Sequence, residues 1–125
     1  MRHLRHYSRY VLALLFFGAG VLHFVSPRPF MRIVPPYLPA PLLLVYLSGA
    51  AEIVGGLGLL MPATRRLAGW GLVLLLIAVF PANVYMLQSQ GAGLAVPLWA
   101  LWLRLPLQLG LIVWVWWASR LAEEQ

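Results

Sequence analysis

Glu52 and Arg104 are charges of opposite sign set inside long runs of Leu, Val, Ile and Trp, and His23, Asn83 and Gln108 are polar side chains in equally apolar company. At membrane depth an unpaired charge costs roughly 2.5–3.5 kcal/mol on insertion scales, so such residues are paired, functional or both. Pairing Glu52 with Arg104 is the cheapest arrangement, because the two stand at similar depth counted from the same side. Such a site can bind a quinone, an anion or a proton. The competing reading is a buried pair that fixes helix register. Ser48, Glu52, Gly55 and Gly56 share a helical face with Gly49 beside it, and small residues let a neighbouring helix approach closely. Glu52 is therefore expected to face other helices.

Arg104 and Gln108 are four apart and lie on one helix face. Pro81 and Pro106 each remove a backbone donor inside a span, freeing the carbonyls of Ile77 and Trp102. Asn83 and Gln108 follow two residues after each proline and are read as satisfying those carbonyls. His23 is read as a histidine hydrogen-bonded near the outer interface. Together Glu52, Arg104, Gln108, Asn83 and His23 form an expected intramembrane polar pocket. No metal site is expected, because no His–His or His–acid pair has ligand spacing on one face. No nucleophile–base pair or phosphate loop appears, so no catalytic residue is assigned. The run Gly55-Gly56-Leu57-Gly58 reads as helix packing, since no strand precedes it and no lysine follows.

The elements that must position these residues are membrane helices. The chain has 125 residues, one domain by length, with 62% apolar and only 10% charged residues, against roughly 25% charged in a soluble average. Nine arginines and three glutamates, with no Lys or Asp, cannot cover the surface of a water-soluble fold this small. Four stretches approach the ~20 apolar residues of a spanning helix: residues 7–25, 42–61, 67–87 and 97–118, with Pro97 placed in the first turn of the last. No period-two alternation supports a β-barrel. The fold expected is an all-α, four-helix transmembrane bundle over residues 1–125. With no cysteine, disulfides, thiol catalysis and iron–sulfur clusters are excluded.

The net charge of +6 does not signal nucleic acid, because the arginines flank apolar runs instead of gathering into a stripe. They orient the bundle instead. Arg2, Arg5, Arg9, Arg65, Arg66 and Arg120 fall on one side, and Arg28 and Arg32 on the other, which places both termini in the cytoplasm. The first helix is read as uncleaved, since Phe24-Val25-Ser26-Pro27 is a poor signal-peptidase site. The first outer loop, 26–41, carries six prolines and is expected to be stiff and to fold over the bundle mouth. Arg28 and Arg32 there are candidate contacts for an anionic ligand, or more simply for lipid phosphate. The tryptophans read as interfacial belts.

The stretches Gly20-Val21-Leu22-His23-Phe24, Val34-Pro35-Pro36-Tyr37-Leu38-Pro39, Ser48-Gly49-Ala50-Ala51-Glu52-Ile53-Val54-Gly55-Gly56-Leu57-Gly58, Arg65-Arg66-Leu67-Ala68-Gly69, Phe80-Pro81-Ala82-Asn83-Val84-Tyr85-Met86 and Arg104-Leu105-Pro106-Leu107-Gln108 resemble the DoxX-like family of small bacterial membrane proteins. That resemblance implies a multi-pass protein of the bacterial cytoplasmic (inner) membrane, associated with oxidoreductase systems. On it rests the leading expectation: an accessory subunit of a quinone-linked membrane redox system, with no covalently bound cofactor, a quinone as ligand, and lipid and redox-complex subunits as partners. The alternative is an assembly or quality-control factor whose bundle binds partner helices. A solute pathway needs a continuous polar route, and the inner half of the spans offers no comparable polar set.

Overall fold

The computed structural model describes residues 2–89 and 96–120. Among them the regular elements are all helical: α1 (Arg2–Val25), α2 (Pro27–Arg32), α3 (Pro41–Leu59), α4 (Arg65–Gln88) and α5 (Leu98–Ala118). Four of these, all but α2, are long and apolar enough to cross a membrane. Leu14, Val25, Val54, Leu67, Leu74 and Val113 each expose well over half their surface, as lipid-facing residues do.

Several boundaries differ from those read in the sequence. The first helix begins at Arg2, not Tyr7, because its basic end has work inside the protein. Arg5, Arg9, Leu12, Phe16, Gly20 and His23 are all buried, and their spacing of three or four residues makes one continuous stripe. The stretch 26–41 contains a helical turn and a half, with Ser26 preceding α2 and Pro27 at its first position, where a proline's missing donor costs nothing. Pro97 lies just before α5 as its N-cap. Most of the third loop, 88–93, and the C-terminal residues 121–125 lie outside the described residues.

The largest interface joins α1 to α3, and α3 to α4 and α4 to α5 follow. Contact between α1 and α5 is smaller and is secured at one end. There Arg9 donates from Nε to the Ala118 carbonyl at 2.7 Å and from Nη2 to the Arg120 carbonyl at 2.9 Å. The Arg5 guanidinium lies 4.9 Å from the Trp117 ring centroid. Arg65 donates to the Leu59 carbonyl at 2.8 Å, and the Thr64 hydroxyl donates to the Gly58 carbonyl at 2.9 Å. These bonds satisfy the last carbonyls of α3 and α5, which carry the negative end of each helix dipole and have little water to turn to. The end of the bundle read as lacking polar chemistry thus holds Arg9 and Arg65 bound to its own helix ends and Arg5 against Trp117.

Leu12, Phe16, Leu59, Leu72, Val73, Leu76, Val115 and Ala118 form the apolar core. They belong to the same half as the arginine caps. One half of the bundle is solidly packed, and His23, Glu52, Asn83, Arg104 and Gln108 lie in the other.

Candidate functional site

A cavity of about 610 Å³ occupies that second half. Its walls are mostly Leu, Val and Ala of α3, α4 and α5. Phe30, Ile33, Val34, Pro35 and Leu38 cover it from the segment joining α1 to α3. His23, Glu52, Asn83, Arg104 and Gln108 all line it. Leu47, Ala78, Pro81, Arg104 and Leu107 are wall residues that are also exposed, so the cavity opens sideways at the depth of the helices.

The partners inside it differ from the pairing read in the sequence. Glu52 pairs with His23, Oε2 to Nε2 at 3.2 Å, and not with Arg104. The contact has ion-pair distance, while Oε2 receives no directed hydrogen bond. The reason lies in α1 and α3. A Cβ on Gly49 would stand 2.7 Å from the His23 Cβ and 2.9 Å from the Gly20 carbonyl oxygen. Only a glycine lets the helices come so close, and one turn further on the same approach brings His23 to Glu52. Ser48, one turn before Glu52 on α3, lines the cavity beside it.

His23 Nδ1 lies 2.6 Å from the Ala19 carbonyl, which can only accept, so Nδ1 carries a hydrogen and Nε2 is the nitrogen turned to Glu52. The Phe30 ring of α2 stacks on the imidazole at 3.9 Å between centroids, 20° from parallel, and closes the pair from above.

Across the cavity, α4 and α5 supply a second polar set. Arg104 donates from Nη2 and Nε to the Asn83 side-chain oxygen at 3.0 and 3.3 Å. The Asn83 amide donates to the Gln108 side-chain oxygen, and the Gln108 amide donates to the Leu76 carbonyl. Asn83 and Gln108 therefore bond each other, and the carbonyl reached is Leu76, next to the Ile77 carbonyl freed by Pro81, instead of Ile77 and Trp102. The chain Arg104–Asn83–Gln108–Leu76 fixes each amide's orientation and leaves the exposed guanidinium on the rim.

Arg28 and Arg32 are exposed on α2 and do not line the cavity. Among the described residues no three His, Cys, Asp or Glu side chains gather to hold a metal ion. Sequence reasoning missed Phe30 as a companion of the His23–Glu52 pair, Arg9 and Arg65 as helix caps, and Arg5 as a partner of Trp117. The signal for Arg5 and Arg9 was present, because both fall on the stripe of Leu12 and Phe16.

A family model, that of a domain of unknown function (DUF8561), matches residues 12–119. The chain belongs to this family. The resemblance to the DoxX-like family is thereby overturned. Its matching stretches were short and rich in Gly, Pro and Leu, which close helix packing and span ends demand of any small bundle, whereas the DUF8561 match runs through all four long helices. No curated protein and no solved structure matches the chain.

Proposed function

We propose that this DUF8561 protein binds, within the membrane, one amphipathic small molecule that enters its cavity from the side. The observation that carries this reading is the lateral cavity of about 610 Å³, apolar over most of its wall, with two hydrogen-bonding sets on opposite sides. That is the general form of a small-molecule site: an apolar enclosure with a few placed polar groups. The Arg104 guanidinium offers donors to a carbonyl or anionic head, and the His23–Glu52 pair offers a proton. A quinone fits these demands, with a ring and tail for the wall and two carbonyl oxygens for the polar sets. In this reading the protein serves a membrane redox system as an accessory subunit, holding the ligand while a partner supplies the electrons.

The test is saturable binding of a short-chain ubiquinone to protein in nanodiscs, read as quenching of intrinsic tryptophan fluorescence. Binding at least tenfold weaker in Leu111→Trp, which fills the cavity, and in Arg104→Ala is expected. Unsaturable partitioning equal to that of empty nanodiscs would overturn the quinone assignment.

The second reading, a groove for a partner's helix, draws on the exposure of Leu47 and Leu107 at the opening. A photo-crosslinker at Leu107 separates the two. Adducts of lipid or quinone mass favour the small-molecule site, and a discrete protein adduct favours the helix groove.

The orientation proposed has both termini in the cytoplasm, from the excess of arginine at the packed end. Because the chain has no cysteine, single-cysteine variants report it cleanly. Ser26→Cys should label with a membrane-impermeant maleimide in intact cells and Ala63→Cys should not. The reverse pattern would invert the bundle.

A further inference from the structure

We propose a second site, at the packed end of the bundle, that binds the phosphate of an anionic lipid headgroup. Arg66, Trp70, Trp116, Ser119 and Arg120 line a niche of about 150 Å³ between the start of α4 and the end of α5. It has room for a tetrahedral anion and little more. It is separate from the large cavity, with which it shares no lining residue.

Two features make this niche more than a stretch of basic rim. The first is a division of labour among the arginines. Arg9 and Arg65 spend donors on the carbonyls of Ala118, Arg120, Leu59 and Leu60, and Arg5 stacks on Trp117. Arg9 and Arg65 hold the helix ends and Arg5 covers Trp117, whereas Arg66 and Arg120 line a shared hollow. Both have further contacts in the protein, which restrain them before a ligand arrives. The second feature is preorganisation. The Arg120 guanidinium lies 4.8 Å from the Trp116 ring centroid, a contact that favours the flat fork of arginine over an ammonium. Gly69 admits Ser119 against α4, since a Cβ there would collide with the serine side chain. That approach brings the end of α5 to the start of α4.

The electrostatics select an anion. Glu52, the one acid among the described residues, stands in the cavity half. A phosphate diester accepts two N–H bonds from each guanidinium in the bidentate manner. Trp70 and Trp116 belong at the headgroup level, where a lipid phosphate is found. Free phosphate shares the chemistry, and the experiment distinguishes the two sources.

Detergent-solubilised protein is incubated with equimolar phosphatidylglycerol and phosphatidylcholine and examined by native mass spectrometry. A parallel sample without lipid is titrated with inorganic phosphate and followed by tryptophan fluorescence. The expected result is at least tenfold preference for phosphatidylglycerol, abolished in Arg66→Gln and in Arg120→Gln. Arg120→Lys keeps the charge and the fold but loses the stacked fork, and should lose most of the preference. His6→Gln, at the same end but outside the niche, should leave it intact. Saturable phosphate binding without lipid preference, lost in the same variants, would keep the anion niche and overturn the lipid assignment. Lipid preference unchanged in both Arg-to-Gln variants, or reduced equally by His6→Gln, would overturn the site altogether.

Discussion

The Ala19 carbonyl takes the Nδ1 hydrogen of His23, which leaves Nε2 to face the Glu52 carboxyl. Nitrogen-15 spectra of labelled histidine should therefore find a hydrogen on Nδ1 of His23, and an Nε2–H tautomer alone would contradict that bond. The pair should also be energetically coupled. His23→Ala and Glu52→Ala each strand a polar group in an apolar wall, at a cost of about 1–3 kcal/mol. The double variant should recover part of the sum, with an interaction energy on the order of 0.5–3 kcal/mol in thermal or denaturant unfolding. Glu52 and Arg104 should instead be additive, since the Arg104 donors go to Asn83. The sequence made all five polar residues conspicuous by their apolar neighbours. It could not show which would meet, because depth along a helix says nothing about rotation around it. Gly20 and Gly49 decide the rotation, and their effect depends on both helices at once.

Among the elements, the contact of α1 with α3 is the one that builds the site. Gly49→Ala would place a methyl carbon 2.7 Å from the His23 Cβ and 2.9 Å from a backbone oxygen, and backbone cannot step aside as a side-chain tip can. Overpacking of this kind costs about 1–3 kcal/mol. It should also reduce the His23–Glu52 coupling toward zero, while a substitution at Gly18, where a Cβ meets nothing within 4 Å, leaves both intact. Coupling unchanged in Gly49→Ala would show that the glycine contact does not set the pair. A second strained joint lies before α3. Ala40 has φ 49° and ψ 62°, the left-handed region that costs an L-residue roughly 1–2 kcal/mol. Ala40→Gly should therefore raise stability by up to about 1 kcal/mol after the glycine's own entropic cost, and a lowered melting temperature would count against it. The four spans were legible from hydropathy and proline placement. The early start of α1 and the turn of α2 were not, since an arginine-rich end and a proline-rich segment read locally as flank and loop. What overrides them is tertiary: carbonyls of α5 for Arg9, and the imidazole of α1 for Phe30.

At the scale of the whole molecule the bundle has a solid half and a hollow half, and the difference bears on function. The solid half carries the Leu, Phe and Val core and the arginine-bound helix ends. An enclosed void costs about 24 cal/mol per Å³ in soluble cores, so a hollow of this size left empty would be a heavy burden for a small bundle. A side opening at hydrocarbon depth relieves it, because lipid chains or an amphipathic ligand can enter. A site that must admit a ligand cannot also be packed for greatest stability, and filling it should exchange one for the other. Ala82 lies on the cavity wall and is only partly buried, so Ala82→Leu can extend into the hollow without disturbing the core. The variant should melt at the same temperature as the parent or a few degrees higher. Its affinity for the short-chain quinone should fall at least tenfold, and the lipid retained at the Arg66–Arg120 niche should not change. A destabilised variant that still binds ligand would mean that position 82 packs against protein in the bundle. The hollow would then be a seam between helices and not a binding site.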